Sequence, residues 1–329
     1  MSSDPVRADI GDSLAIEVKG LTRSFGAVSA LDGVDLEIAR GTVFGLLGPN
    51  GAGKTTTVRI LNGVLEATAV ECLRVLGHDL PRDAAAVRPL VGVQTDTSLY
   101  DRMSALDNLV LFGRLYGATR GAARGKAEAL LAMFGLTDRA GDRAGTFSKG
   151  MRQKLLLARA LVGDPELVYL DEPTAGLDPE ASHELMVHIR TMSERDHTTF
   201  FIASHRLDEM EEVCSQVAVL VDGRIRECGS PAEVARRAVP RVLVRVAPAP
   251  DAMVRPEVLR GLPGVVDTSV QQDGSVLLEA AGSSDVPRIV KAVAALPVDL
   301  LGVGEEPPTL AEAYLTLVGA TDMVRGGGS

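Results

Sequence analysis

The sequence has few cysteines, no excess of positive charge and no long apolar run. Its three cysteines, Cys72, Cys214 and Cys228, form no CxxC pair, which disfavours a disulfide framework or zinc site and fits a reducing compartment. There are 34 Lys and Arg against 44 Asp and Glu, a formal charge of −10, so no general electrostatic attraction to nucleic acid is expected. Because no apolar stretch reaches about 18 residues, any membrane role requires a partner protein.

What remains is the composition of a folded chain. Hydrophobic residues make up 46% and charged residues 24% of the 329 residues, which is enough for a core and excludes a disordered or collagen-like chain. The length suggests two domains. Residues 1–14 contain acidic residues and no apolar segment, so we expect a disordered tail rather than a targeting peptide.

Between residues 15 and 238, short β-rich runs alternate with longer helical stretches, which predicts an α/β domain with a mostly parallel sheet. After Pro240 the order strand, helix, strand, strand, helix, strand predicts a small α+β, ferredoxin-like domain at 239–322. A last amphipathic helix is expected at 310–318 and a flexible tail at 323–329.

The first motif follows an apolar run, Val43–Leu47, that predicts a buried strand. Residues 48–55, Gly-Pro-Asn-Gly-Ala-Gly-Lys-Thr, fit GxxxxGK[ST] and lead into a helix-compatible stretch. Inward-facing backbone N–H groups and a helix N-terminus would cradle a triphosphate. Lys54 would neutralise phosphate oxygens and Thr55 would bind Mg²⁺. The expected phosphate-binding residues are Gly48, Pro49, Asn50, Gly51, Ala52, Gly53, Lys54, Thr55 and Thr56.

Two adjacent acids, Asp171 and Glu172, end a second apolar run at 167–170. Because neighbouring side chains at a strand end point in different directions, the two acids can take different roles. We expect Asp171 to hold Mg²⁺ and Glu172 to act as general base on the attacking water.

Four stretches in a fixed order resemble the nucleotide-binding subunit of an ABC transporter over residues 15–238. They are the loop at 48–55; Phe-Ser-Lys-Gly-Met at 147–151; Asp-Glu-Pro-Thr-Ala-Gly-Leu-Asp at 171–178; and Ala-Ser-His at 203–205. The resemblance implies a P-loop NTPase core with a mostly parallel sheet, an antiparallel β portion and a helical subdomain at about 99–147, and it implies ATP as the nucleotide.

The resemblance also implies roles for residues outside the loop. Ser148 and Gly150, near a helix start expected at Met151, would cap ATP held by a second copy arranged head to tail, and Asp178 would organise that dimer contact. His205 would contact the γ-phosphate and Glu172 as the second catalytic residue. Phe25 would stack on adenine, as aromatic rings stack on bases.

The chain departs from the family pattern at two points. The glutamine expected between the core and the helical subdomain, a further metal contact, is best matched by Gln94, with Thr95 and Asp96 as alternatives. Lys149 stands where the commonest family form has glycine, which adds a positive charge near the second phosphate site.

Three stretches look most like drug-exporter ATPases of the daunorubicin-resistance type: Phe-Ser-Lys-Gly-Met at 147–151, Leu-Tyr-Asp-Arg-Met-Ser at 99–104 and Pro-Thr-Leu-Ala-Glu-Ala-Tyr-Leu at 308–315. That branch implies a peripheral subunit on the cytoplasmic face of the cell membrane, docked on a separate permease through residues such as Asp101 and Leu109. The alternative is a soluble ABC-type ATPase acting on ribosomes or nucleic acid, which the single core and acidic charge disfavour, so no nucleic-acid partner is expected. A non-hydrolysing scaffold is disfavoured by the presence of Glu172 and His205.

Overall fold

The computed structural model describes residues 13–94, 99–250, 252 and 254–326. Backbone contacts divide the chain into two compact units, one up to Pro231 and one from Ala232. The tail expected at 1–14 lies outside the described residues up to residue 12, and Leu14 already belongs to the first strand.

The first unit contains an antiparallel sheet and a larger, mostly parallel one. Their strands are β1 (Leu14–Phe25), β2 (Val28–Ala39), β3 (Val43–Leu47), β4 (Cys72–Val75), β5 (His78–Asp79), β6 (Val91–Gln94), β7 (Leu167–Asp171), β8 (Thr199–Ser204), β9 (Gln216–Val221) and β10 (Arg224–Gly229). The antiparallel sheet has the order β2-β1-β4-β5. The other has the order β10-β9-β3-β8-β7-β6, and every neighbouring pair except β9 and β10 is parallel.

Continuous apolar runs become the central strands of the large sheet. All residues of β3 and β8 are buried, as expected where both faces of a parallel sheet are covered. Side chains from the two sheets share one core, which includes Ile16, Val18, Phe44, Tyr169 and Phe201. The sheets therefore form one packed body.

Helices cover this body and form the helical subdomain. They are α1 (Lys54–Leu61), α2 (Ala84–Val87), α3 (Ala105–Leu115), α4 (Arg120–Met133), α5 (Lys149–Leu161), α6 (Pro179–Asp196) and α7 (Leu207–Val213). The next helix, α8 (Pro231–Ala238), belongs to the second unit except for its first residue. Short 3-10 turns occur at Arg88–Leu90, Thr137–Arg139 and Ala144–Thr146.

The subdomain helices are joined to α5 by a buried cation. Arg159 on α5 is 4% exposed, and its guanidinium lies 4.9 Å from the centre of the Phe112 ring on α3. Burial lowers the pKa of Arg159. Leu109, expected at a docking surface, is fully buried, because α3 turns that face toward the core. That expectation was wrong. The exposed apolar side chains of the subdomain include Tyr100, Leu115 and Tyr116.

The second unit is a four-stranded antiparallel sheet with helices. Its elements are β11 (Val242–Pro248), α9 (Pro256–Arg260), β12 (Val265–Val270), β13 (Val276–Ala280), a 3-10 turn (Ser283–Asp285), α10 (Val286–Ala294), β14 (Leu300–Glu306) and α11 (Leu310–Gly326). The strand order is β12-β13-β11-β14. Alternate residues of β11 and β13, such as Val244 and Leu278, join Ile289 and Val293 of α10 in a separate core.

The last helix is longer than expected. The sequence predicted an end at 318, whereas α11 continues to Gly326. No proline interrupts residues 319–325, and a single interior glycine such as Gly319 weakens a helix without ending it. The other architectural expectations, a mostly parallel sheet, an antiparallel β portion, a helical subdomain and an α+β second unit, are confirmed.

Candidate active site

Three neighbouring strands end at the same edge of the large sheet. β3 pairs in parallel with β8, and β8 with β7, so their carboxyl ends lie together. The loop at 48–55 follows β3, Glu172 follows β7 and His205 follows β8. Motifs that are far apart in the sequence therefore converge at this edge.

Glycines let the loop pack closely against its neighbours. A Cβ atom at Gly48 would lie 2.3 Å from the carbonyl oxygen of Leu220. At Gly53 the backbone φ is +112°, and a Cβ would lie 2.6 Å from the carbonyl oxygen of Ala30. Both positions require glycine, because a side chain would collide with backbone and because φ at Gly53 is unfavourable for other residues.

The loop opens into a cavity of roughly 220 Å³. Its lining residues are Ala30, Pro49, Asn50, Gly51, Gly53, Lys54, Thr55, Thr56, Asp171 and Glu172. Helix α1 begins at this cavity with no side-chain cap, so its first N–H groups remain available to an anion. Among the predicted phosphate-binding residues, Gly48 and the buried Ala52 support the loop from behind.

Lys54 is held by the loop itself. Its ammonium donates to the carbonyl oxygens of Gly48 (2.6 Å) and Pro49 (3.2 Å). Burial lowers the pKa of Lys54 below its usual value, while Glu172 and Asp171 act in the opposite direction. A cation in this setting, next to an uncapped helix end, fits a phosphate group.

The predicted metal residues Thr55 and Asp171 are in contact. The Thr55 hydroxyl donates to Asp171 Oδ2 at 3.0 Å. A hydroxyl and a carboxylate side by side are hard oxygen donors of the kind that Mg²⁺ takes together with substrate phosphates. The donor set therefore fits Mg²⁺.

Glu172 and His205 form a pair beside this cavity. His205 Nδ1 lies 2.8 Å from Glu172 Oε1, and the Ser204 hydroxyl donates to Glu172 Oε2 at 3.3 Å. Glu172 has φ of +50°, a left-handed conformation that is unfavourable for a side chain of this kind. Its N–H donates to the Ala203 carbonyl at 2.8 Å, which ties the turn after β7 to β8.

Several predicted residues lie outside the cavity lining, among them Phe25, Ser148, Gly150 and Asp178. Phe25 is 48% exposed, with the Arg23 guanidinium 4.5 Å from its ring centre. Ser148 caps α5 by accepting from the Met151 N–H at 3.3 Å. The helix begins at Lys149, two residues earlier than expected, because Ser148 is already the capping residue. Gly150 therefore lies in the first turn, and Asp178 caps α6.

Gln94 ends β6 beside Leu170 of β7. Its amide nitrogen donates to Gln153 Oε1 at 3.1 Å. Its side-chain oxygen is buried and, among the described residues, has no hydrogen-bond partner. The hydrogen bond to α5 is not a metal contact, so a metal role for Gln94 stays a prediction. The alternatives Thr95 and Asp96 lie outside the described residues.

Sequence reasoning missed two kinds of residue around the site. Ala30, on β2, lines the cavity, and no sequence motif indicates that it belongs to the site. The Ser204 hydroxyl donates to Glu172. Its position in the Ala-Ser-His stretch, next to His205, could have indicated that it belongs to the site.

With this geometry in place, comparison with known proteins identifies the family. Residues 31–175 match the family described as "ABC transporter". The chain is 36% identical to daunorubicin resistance ATP-binding protein DrrA3 of Streptomyces coeruleorubidus, over 93% of this chain and 96% of the relative. It is 32% identical to daunorubicin/doxorubicin resistance ATP-binding protein DrrA of Streptomyces peucetius, over 97% and 94%.

A solved structure has the same fold as the first unit. It is cbiO1 from Clostridium perfringens, described as part of the ABC transporter complex cbiONQ, with a TM-score of 0.63, 26% identity and coverage of 68% of this chain and 90% of that one. The chain therefore belongs to the ABC transporter ATP-binding family, with a P-loop NTPase core.

More narrowly, it is an ABC-type ATPase that resembles drug-resistance ATP-binding proteins over nearly its whole length. The resemblance found from the motifs is thus confirmed. Among the described residues, no helix has the length and apolar character needed to cross a bilayer.

Proposed function

We propose that the protein hydrolyses ATP to power a separate membrane permease that exports drugs or other hydrophobic compounds. The observation that carries the proposal is the Glu172–His205 pair at 2.8 Å beside the cavity that Lys54 and Thr55 line. The likeness to the daunorubicin resistance proteins supports drugs as the transported compounds, and export is the direction of transport that resistance favours.

In the proposed reaction, the loop and α1 hold the triphosphate of ATP, and Lys54 neutralises its oxygens. Thr55 and Asp171 would hold Mg²⁺, which would offset charge on the phosphate groups. Glu172 accepts a proton from the attacking water, and His205 holds the Glu172 carboxylate in position. His205 can donate to Glu172 and to a phosphate oxygen at once only as an imidazolium, because neutral imidazole has one N–H.

The proposed enzyme works as two copies arranged head to tail. Ser148, Gly150 and Asp178 do not line the cavity of their own chain, which supports a role at the nucleotide of a second copy. The first turn of α5 lies against the turn before α6, since a Cβ at Gly150 would be 3.8 Å from Leu177. One chain would therefore present the signature residues and Asp178 together.

We further propose a peripheral position on the cytoplasmic face of the membrane, with the permease docked on the helical subdomain. The exposed side chains of Tyr100, Leu115 and Tyr116 support that surface, as exposed apolar groups favour partner binding. Residues 239–322 are proposed as an accessory domain. The proteins reported above are named as drug-resistance ATP-binding proteins and as part of an ABC transporter complex, and these likenesses do not favour the ribosomal or nucleic-acid alternative.

The test is Mg²⁺-dependent ATP turnover by the purified chain as a function of its concentration, with and without the permease. Specific activity that rises with protein concentration, or on adding the permease, supports composite sites and a transport role. Specific activity that is independent of both, or turnover stimulated by RNA, contradicts the proposal.

A further inference from the structure

A buried hydrogen bond lies under the turn that follows Glu172. Thr174 is fully buried, and its hydroxyl donates to Glu209 Oε2 at 2.6 Å. Glu209 comes from α7, and its side chain is 8% exposed. A carboxylate that is almost removed from water needs such partners, since an unpaired buried charge is strongly destabilising.

The same carboxylate has a cationic partner. Arg206 Nη1 lies 2.8 Å from Glu209 Oε1, which is an ion pair without hydrogen-bond geometry at Oε1. Arg206 Nη1 donates to the Ser182 hydroxyl on α6 at 2.9 Å. Ser182 is 2% exposed. Thr174, Ser182, Arg206 and Glu209 thus form one connected group, the polar clamp, which ties the turn after β7 to α6 and α7.

The polar clamp adjoins the catalytic pair through the backbone on both sides. Thr174 is two residues after Glu172, and its carbonyl accepts from Leu177 N–H at 3.1 Å. On the other side, Arg206 follows His205, and its N–H donates to the Ser204 hydroxyl at 3.1 Å. That hydroxyl in turn donates to Glu172. The clamp therefore touches the chain immediately beyond both catalytic residues.

Two physical arguments favour a positioning role. A residue with positive φ, such as Glu172, keeps that conformation only when its surroundings hold it. An ion pair with one buried partner, such as Glu209 with Arg206, adds little net stability compared with apolar packing, which is consistent with a use in fixing geometry. Apolar side chains would fill the same space but would not hold the turn after β7 in one conformation.

We propose that the polar clamp positions the Glu172 carboxylate and the His205 imidazole, keeping the distance and orientation between them fixed. The inference rests on the proposed role of Glu172 as general base. None of the four clamp residues lines the nucleotide cavity, so the clamp acts on turnover rather than on nucleotide binding.

The test compares Thr174→Val, which removes the donor at nearly constant shape, with Thr174→Ser, which keeps it. The matched control is Ser193→Ala, since Ser193 is also buried and donates to the Gly41 carbonyl at 2.9 Å, away from the site. We expect Thr174→Val to lower kcat about tenfold with KM unchanged. Thr174→Ser and Ser193→Ala should stay near the wild-type rate. Equal kcat for Thr174→Val and Ser193→Ala would overturn the proposal.

A second measurement needs no turnover. Amide hydrogen exchange of nucleotide-free protein should be faster at residues 174–177 in Thr174→Val and in Glu209→Gln, but not in Ser193→Ala. Unchanged exchange at 174–177 overturns the clamp even if a variant loses activity. If exchange responds but wild-type protein shows no ATP turnover, the proposed function fails while the clamp stands.

A third comparison checks the route of action. If the clamp acts through the catalytic pair, Thr174→Val in a His205→Ala background should lower kcat by much less than tenfold further. Full additivity of the two losses would show that the clamp acts elsewhere and would overturn the positioning role.

Discussion

His205 Nδ1 and Glu172 Oε1 lie 2.8 Å apart although the two residues are 33 positions apart in the sequence. Two adjacent parallel strands produce this contact, because Asp171 at the end of β7 is in register with Ala203 of β8. Glu172 is one residue beyond that pairing and His205 is two residues beyond it, so both side chains enter the site at the same edge. Sheet register therefore sets the distance between the proposed base and the side chain that holds it.

Glu172→Gln should abolish turnover while keeping nucleotide binding, because the amide cannot accept the proton but has the same shape. A general base contributes about 10²- to 10⁴-fold, and we expect a loss in that range together with an ATP-bound dimer that persists on size-exclusion chromatography. Glu184→Gln is the matched control, since Glu184 pairs with Lys154 on the surface. Wild-type turnover by Glu172→Gln would rule out the base assignment.

His205→Ala should lower kcat by about 10²- to 10³-fold, the range seen when one stabilising donor is removed from an active site. Nucleotide affinity should fall by much less than kcat, because His205 does not line the cavity and its proposed contact is with one phosphate oxygen. Steady-state kinetics and equilibrium binding of a fluorescent ATP analogue separate the two effects. A variant that loses affinity and keeps kcat would contradict the proposed role.

Gly48→Ala should destabilise the protein and abolish ATP binding, because its Cβ would lie 2.3 Å from the Leu220 carbonyl oxygen. We expect a loss of about 1–3 kcal/mol, typical of overpacking, measured by denaturant unfolding. Gly125→Ala is the control. Gly125 lies in the interior of α4 with no atom within 4 Å of its added Cβ, so this change should stabilise by about 0.5–1 kcal/mol. Equal effects of the two changes would contradict the close-packing argument.

Glu312→Gln should loosen the start of α11. The Thr309 N–H donates to Glu312 Oε2 at 3.0 Å, and the Glu312 N–H donates to the Thr309 hydroxyl at 3.2 Å, a reciprocal cap. Loss of the charge should reduce local stability by about 0.3–1.5 kcal/mol, seen as faster amide exchange in the first turn. Glu305→Gln, an exposed change on β14, should leave that turn unaltered.

The effect of Glu312 should depend on pH. The hydrogen bond from Thr309 and the nearby Arg241 hold the pKa of this carboxyl below its usual 4.5. A depressed carboxyl pKa stabilises the folded state above the unfolded value, and that contribution is lost as the pH falls through the folded value. The difference in exchange between wild type and Glu312→Gln should therefore be full at neutral pH and disappear in acid. A difference that persists in acid would exclude the charge as its cause.

Local patterns predicted much of the fold. The short apolar runs at β3 and β7 were recognisable as buried strands, and the structure buries all of β3 and nearly all of β7. The motif at 48–55 predicted the helix that follows it, α1. Tertiary packing decided what the sequence alone could not. No sequence motif indicates that β8 lies between β3 and β7. The burial of Leu109 likewise depends on which face of α3 packs against the core.

The site was predictable where chemistry and backbone shape need particular residues, as at Gly48 and Gly53. It was not predictable where a residue acts through long-range contacts. Thr174 and Glu209 are 35 positions apart, and only their shared burial reveals the bond. Phe25 was expected to stack on adenine because of the likeness to the family. Its ring is about half exposed and contacts Arg23, so the stacking role stays a prediction.

The left-handed backbone of Glu172 restricts how this site can change in evolution or by design. Aspartate accepts positive φ more readily, so Glu172→Asp would relax the chain. Its side chain is one methylene shorter, however, and would not reach His205 at 2.8 Å without a shift of the strand end. β-Branched residues are disfavoured outright by the backbone angle. Natural or laboratory selection at this position therefore faces a choice between an easier backbone and a carboxylate that reaches its partner.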